Sequence, residues 1–182
     1  SITIKRYSIK QLWRLCDDAK FAVPEIQREF VWDPRRASDL LDSVSKHLPI
    51  GSLLIWRTHR DRKHLLRHAQ RTLPQHDSRN RDIWFLIDGQ QRLCVLYRAK
   101  QGQEVTNDQG RVINFSKLCW TVDARSESSF QFVRKPTPKL HVPVVDLGIY
   151  RMDMAFPRVT GDHALIGRMA AQHFCERGYR HA

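Results

Sequence analysis

Apolar positions follow two rhythms along the first hundred residues. Ile9, Leu12, Trp13 and Cys16 share one face of a 3.6-residue period, and Ser8 with Gln11 three residues on forms a capping box, so a helix is expected from Ser8. Pro24 pushes Val23 out of helical geometry, which makes Phe21-Ala22-Val23 a short extended segment. Asp33 as N-cap and Pro34 at the first helical position open a second helix. Ala37, Leu40, Leu41 and Val44 form its inner face, and Pro49 marks its end. Residues 51–56 (GSLLIW) and 82–87 (DIWFLI) are short continuous apolar runs, the mark of buried strands. The second run ends at Asp88-Gly89, and a helix with Leu93, Leu96 and Tyr97 inward is expected over 90–100. Past Gly102, strands are expected at Val112 to Phe115, Cys119 to Val122 and Phe130 to Val133, spaced as a small antiparallel meander. A connector at Pro136 and Pro138 leads to a last short element over 142–147.

Helices and strands interleave early and strands cluster late, without internal repeat or low-complexity tract. That order predicts an α+β domain over residues 1–150 and a distinct tail over 151–182. The 182 residues allow one domain, or one domain with an appendage, and 41% hydrophobic residues suffice for a buried core. No run approaches the roughly 18 apolar residues of a membrane span, and the N-terminus lacks a signal-peptide stretch. An initiator Met is also missing, as expected of a trimmed segment. Cys16, Cys94, Cys119 and Cys175 are scattered without CxxC spacing, which points to reduced thiols in a cytoplasmic protein rather than a zinc site or disulfide framework.

Charge changes the picture. Lys and Arg number 31 against 19 Asp and Glu, a formal net charge of +12. Such a balance implies a polyanionic partner, nucleic acid or nucleotide phosphate, unless the surface is simply solvated. The cations concentrate in residues 57–82, read as a long basic loop with a helical turn near Leu65 and Leu66. Arg57, Arg60, Arg62, Lys63, Arg67 and Arg71 are its candidate DNA-contacting residues.

The junction Ile87-Asp88-Gly89-Gln90-Gln91-Arg92 carries the most chemical information. A tight turn at Gly89 lets backbone approach a ligand, and the helix beyond it offers free N–H groups to an anion. Arg92 supplies a planar fork for phosphate, Asp88 can hold Mg²⁺ or orient water, and Gln90 and Gln91 can donate and accept. Asp-Gly is also a common turn dipeptide, and Arg92 can equally be held in an ordinary ion pair. Gln27-Arg28, after the first extended segment, again sets an amide beside a guanidinium. Two such pairs in one small domain can converge on a single polyanion site.

Three ordered segments, Pro24-x-x-Gln27-Arg28-x-Phe30-x-Trp32, Pro49-Ile50-Gly51-Ser52-Leu53-Leu54 and Ile87-Asp88-Gly89-Gln90-Gln91-Arg92-Leu93, resemble the signature of the GmrSD-type N-terminal domain of modification-dependent restriction and anti-phage systems. The resemblance covers residues 5–150. It implies a ParB/sulfiredoxin-like mixed sheet with flanking helices, NTP binding and hydrolysis centred on the DGQQR motif, and action on foreign DNA. It makes Asp88, Gly89, Gln90, Gln91 and Arg92 the nucleotide site with Gln27 and Arg28 nearby. Hydrolysis there is expected to need Mg²⁺ on the phosphates, with Asp88 its ligand and Asp88, Gln91 and Arg92 the catalytic candidates. Proteins of this type usually continue into a helical region and often an HNH nuclease, so cleavage is expected to need a separate nuclease subunit.

The stretch from Asp162 to His181 resembles instead a fragment of the sugar-binding domain of LacI-type repressors, near the xylose regulators. A strand–helix appendage of this size cannot bury its apolar face alone, so it is expected to dock on the first domain or to join two chains as a homo-oligomer. Three readings follow: an NTP-hydrolysing component of a restriction system, a non-catalytic ParB-like DNA-binding module, and a sugar-responsive regulator fragment.

Overall fold

The computed structural model describes residues 3–67, 72–121, 128–137 and 140–144, apart from the side chain of Arg60. The tail over 151–182, with its LacI-like stretch and its expected oligomerising helix, lies outside the described residues.

The first helix, α1 (Ile9–Asp17), has the full capping box, in which the Ser8 side chain accepts from the Gln11 backbone and the Gln11 side chain accepts from Ser8 N–H at 2.8 Å. Strand β1 is only Phe21–Ala22. Asp33 caps α2 (Pro34–Ser45) through the Arg36 N–H at 2.9 Å, as its sequence signals require. Strand β2 is Leu54–His59, β3 is Asp82–Asp88 and α3 is Gln90–Gln101. Then come β4 (Glu104–Thr106), β5 (Val112–Asn114), β6 (Leu118–Thr121), β7 (Phe130–Phe132) and β8 (His141–Pro143). Helices and mixed sheets together make the α+β class that element order predicts.

The central sheet has the order β1-β3-β2. β1 runs parallel to β3, with Phe21 opposite Trp84, and β2 runs antiparallel, with Trp56 opposite Phe85. One face, carrying Phe21 and Leu86, packs with Cys16 of α1 and with Leu93 and Tyr97 of α3. Two hydrogen bonds fix these helices to each other: Trp13 Nε1–H donates to the Leu96 carbonyl at 3.0 Å, and the Tyr97 hydroxyl donates to Asp17 at 2.9 Å. The other face, carrying Ala22, Ile83 and Phe85, is covered in part by Leu65 and Leu66. A further cluster joins α2 (Ala37, Leu40, Leu41) and α3 (Val95, Ala99) to Ile113, Phe115 and Leu118.

Four expectations are corrected. The strand expected over 51–56 begins at Leu54, and it is an edge strand rather than a buried one, with Leu54 and Trp56 exposed. Gly51 at φ +83° keeps the start of the run out of the strand. The basic stretch has the expected helical turn at Leu65 but is more structured than a loop around it. It completes β2, continues as a 3₁₀ helix over Arg60–Leu65, and returns to buried positions at Thr72, Leu73 and His76. The late strands do not form one meander. β4 and β5 are a separate hairpin, and β6 lies between β7 and β8, antiparallel to both. The physical reason is Phe115 and Leu118, which turn inward through a short 3₁₀ segment and break the sheet between β5 and β6. The α3 helix is buried on more than the expected inner face, since Cys94, Val95 and Ala99 are buried too.

Candidate functional site

The turn from β3 into α3 is set by Gly89, whose φ of +87° is a left-handed conformation that side-chain-bearing residues rarely adopt. Gly89 is the N-cap and has no side chain to bond the first-turn N–H groups of α3, where Gln90 and Gln91 are buried. A methyl group at Gly89 would lie 2.3 Å from Leu53 Cδ2 and 3.1 Å from Arg92 Nη2. One at Gly51 would lie 2.6 Å from Arg92 Nη1. Both glycines therefore make room for the same guanidinium and its supporting segment.

Arg92 is the meeting point. Its Nη2 donates to the Ser52 carbonyl at 2.6 Å and to Asp88 Oδ2 at 2.9 Å. Its Nε is buried and has no hydrogen-bond partner. The arginine side chain is 23% exposed and its aspartate partner 69%, so the pair opens to solvent on the Asp88 side. Arg92 also lines a cleft of about 430 Å³ whose other walls include Trp32, Arg36, Asp39, Ser43 and Ile50. An aromatic ring, two guanidiniums, a hydroxyl and a carboxylate thus share one cleft.

The early Gln-Arg segment is stitched to this junction. Gln27 Nε2 donates to the Ile87 carbonyl at 2.7 Å. The Gln91 amide spans the same gap in reverse, accepting from Val31 N–H at 3.0 Å and donating to the Glu29 carbonyl at 3.0 Å. Arg28 therefore sits between two residues bonded to the DGQQR turn, exposed and with no ion-pair partner among the described residues. Gln90 is buried, and its Oε1 lacks a partner. Hydrogen bonds tie the two Gln-Arg segments together, but Arg28 is not among the residues that line the Arg92 cleft. Gln91 and Gln27, however, spend their amides on backbone, holding the segment in place.

The basic candidates divide. Arg57 is paired with Asp82 at 2.9 Å and stacked 4.6 Å over Trp84. Arg67, mostly buried, bonds Glu29 and the carbonyls of Glu25 and Gln27, so it clamps the Gln27 segment from behind. Arg62 and Lys63 are exposed in the 3₁₀ helix, without ion-pair partners among the described residues. Arg71 and the Arg60 side chain lie outside the described residues. Among the described residues there is no cluster of three or more His, Cys, Asp or Glu suited to a freestanding metal, so Asp88 offers a single carboxylate. A Mg²⁺ ion carried chiefly by phosphates and water needs no more than one or two.

Sequence reasoning passed over Trp32, Arg36 and the Ser52 carbonyl as site-forming groups. A signal existed for two of them. Trp32 closes the first signature segment, and Ser52 lies inside the second.

No helix among the described residues is long and apolar enough to cross a membrane. No curated protein matches the chain. The family model of the GmrSD restriction endonuclease, N-terminal domain, matches residues 9–140. That match runs from the first residue of α1 to the residue before β8, through every segment that meets at Arg92, and the chain accordingly belongs to the family of GmrSD restriction endonuclease N-terminal domains.

Proposed function

We propose that the Arg92 cleft binds a nucleoside triphosphate and that the domain, on a ParB/sulfiredoxin-like core, is the NTP-hydrolysing component of a DNA restriction system that works with a separate nuclease. The observation that carries this reading is the unsatisfied, buried Nε–H of Arg92 beside an uncapped helix start. A buried donor without an acceptor costs about 1–3 kcal/mol, and a phosphate oxygen removes that cost. Arg36 on the facing helix supplies a second cation, and Trp32 offers a ring for the base.

Asp88 is held by Arg92. A phosphate that competes for that guanidinium would free the carboxylate, which is exposed, to orient water, and Asp88 is the side chain that would hold a nucleotide-borne Mg²⁺. Mg²⁺ would supply charge neutralisation on the phosphates. Arg92 counters the charge that develops during transfer, and Gln91 and Gln27 keep the Arg28 segment registered against the turn.

Titration of the purified chain with NTP and Mg²⁺, followed by a phosphate-release assay, tests this. Wild type binds and hydrolyses, and Arg92→Ala loses at least tenfold in affinity. Identical behaviour of the two proteins overturns the assignment. The second reading, a DNA-binding module indifferent to nucleotide, draws support from Arg62 and Lys63, which are exposed and form no ion pair among the described residues. It is separated by the salt dependence of DNA binding with and without NTP.

A further inference from the structure

Behind the Gln27 segment, on the sheet face away from α1 and α3, lies a second cavity. Trp56 stacks on Phe85 with ring centroids 5.6 Å apart and planes 28° from parallel. Together with Ile87, Leu65, Ile26 and Glu25 they line a slot of about 310 Å³, the size that takes one small ring system. Trp56 is 44% exposed and Ile26 is 90% exposed. Ile26 is not on a loose loop. Glu25 N–H donates to the Leu65 carbonyl at 3.0 Å, Gln27 N–H to the Pro24 carbonyl at 3.1 Å, and Arg67 grips the carbonyls of Glu25 and Gln27. The fold places this apolar side chain at the mouth of an aromatic slot, so that Ile26 and Trp56 form one exposed apolar surface.

Cations outnumber carboxylates in the segments around the slot, where Asp61 shares a 3₁₀ helix with Arg62 and Lys63. Arg62 and Lys63 belong to the 3₁₀ helix that delivers Leu65, and Arg28 follows Ile26 by two residues. All three are exposed and lack ion-pair partners among the described residues, whereas Glu25 is the one carboxylate in the lining. A flat aromatic surface flanked by unpaired cations is the combination that holds a base by stacking and its strand by phosphate contacts.

We infer that the Trp56 slot is a stacking site for an unpaired nucleobase, with Arg28, Arg62 and Lys63 holding the flanking phosphates. The inference rests on DNA as the partner of this domain and is independent of NTP hydrolysis. It gives the domain a way to sense a strand that is single, bulged or distorted, at a place separate from the Arg92 cleft.

The test uses the full chain with three labelled DNAs: a single strand, a paired duplex, and the same duplex with one unpaired 2-aminopurine. Anisotropy reads affinity and 2-aminopurine fluorescence reads stacking. The unpaired base is expected to raise affinity about tenfold over the paired duplex and to be quenched. Trp56→Ala removes both effects and leaves paired-duplex binding unchanged, and Trp56→Phe keeps both. Arg62→Ala with Lys63→Ala weakens every DNA and flattens the log–log salt slope by about two. Duplex binding with no preference for the unpaired base, or a preference that survives Trp56→Ala, overturns the slot alone. Absence of binding to any DNA overturns the slot and the DNA reading together, with a cooperative thermal unfolding transition as the control for a folded protein. A Trp56-dependent complex with an acidic peptide bearing an apolar anchor, without base preference, overturns it in favour of a protein partner.

Discussion

Gly51 and Arg92 are in contact: a methyl group on the glycine would stand 2.6 Å from Nη1 of the arginine. Forty-one positions apart in sequence (92 − 51 = 41), they belong to two signature segments that have no reason to be adjacent until the guanidinium lies on the glycine backbone.

That contact separates three glycines by experiment. Gly51, Gly89 and Gly110 all have positive φ, so alanine costs each of them about 1–2 kcal/mol of backbone strain. At Gly110 the added methyl meets open space, whereas at Gly51 and Gly89 it meets Arg92 or Leu53. Gly110→Ala is expected to lower the melting temperature by a few degrees and leave nucleotide affinity intact. Gly51→Ala and Gly89→Ala are expected to lower it as much or more and also to weaken NTP binding tenfold or beyond, checked by calorimetry and titration on the same samples.

Gln91 offers a second test, of bracing rather than chemistry. Gln91→Ala leaves the Val31 N–H and the Glu29 carbonyl without their partner, a loss of about 1–3 kcal/mol in urea unfolding. Gln91→Glu keeps the acceptor for Val31 but faces a carboxylate toward the Glu29 carbonyl. Its deficit is therefore larger at neutral pH than under acid conditions that protonate the new side chain.

His76 makes stability depend on pH. Burial pushes its pKa below the ordinary histidine value, against the opposing pull of the Ala19 and Lys20 backbone and of Asp77. The folded state then prefers the neutral ring, so the unfolded chain takes up its proton first as pH falls. Stability is complete above the unfolded value of about 6.5 and declines as pH drops below it. Unfolding curves between pH 7 and pH 5 are expected to show that decline in wild type and a flatter profile in His76→Gln.

The described cysteines are expected to be inert in the folded protein. Burial drives the thiols of Cys16 and Cys94 up to about 12, and Cys119 is buried as well. Mass-spectrometric mapping after iodoacetamide treatment should find these three unlabelled in buffer and labelled in strong denaturant.

The helices were legible because their signals are local. The Ser8–Gln11 box, the Asp33-Pro34 start and the Asp88-Gly89 turn each act within four residues, and each appears where its residues demand. The edge position of β2 was not, since its apolar run Leu54-Ile55-Trp56 reads the same whether one face or two are covered. The same limit applies at the site. Ordered motifs identified the segments, but the use of Gln91 and Arg67 as clamps follows from partners some 40 to 60 residues away, which no local pattern encodes. Composition flagged residues 57–82 as basic, yet it did not distinguish Arg57 and Arg67, spent on internal pairs, from Arg62 and Lys63, left outward.

The two-residue parallel pairing of β1 with β3 spans nearly the same stretch of chain as the Gln27–Ile87 and Gln91–Glu29 bonds. Closing that long excursion is an entropic toll met once, by strand and cleft together. The cleft is accordingly a product of the same long-range closure that pairs the central sheet rather than of a detachable loop. Whatever fills it will be felt throughout the domain as slower unfolding and slower amide exchange in β1 and β3, far from any atom of the guest.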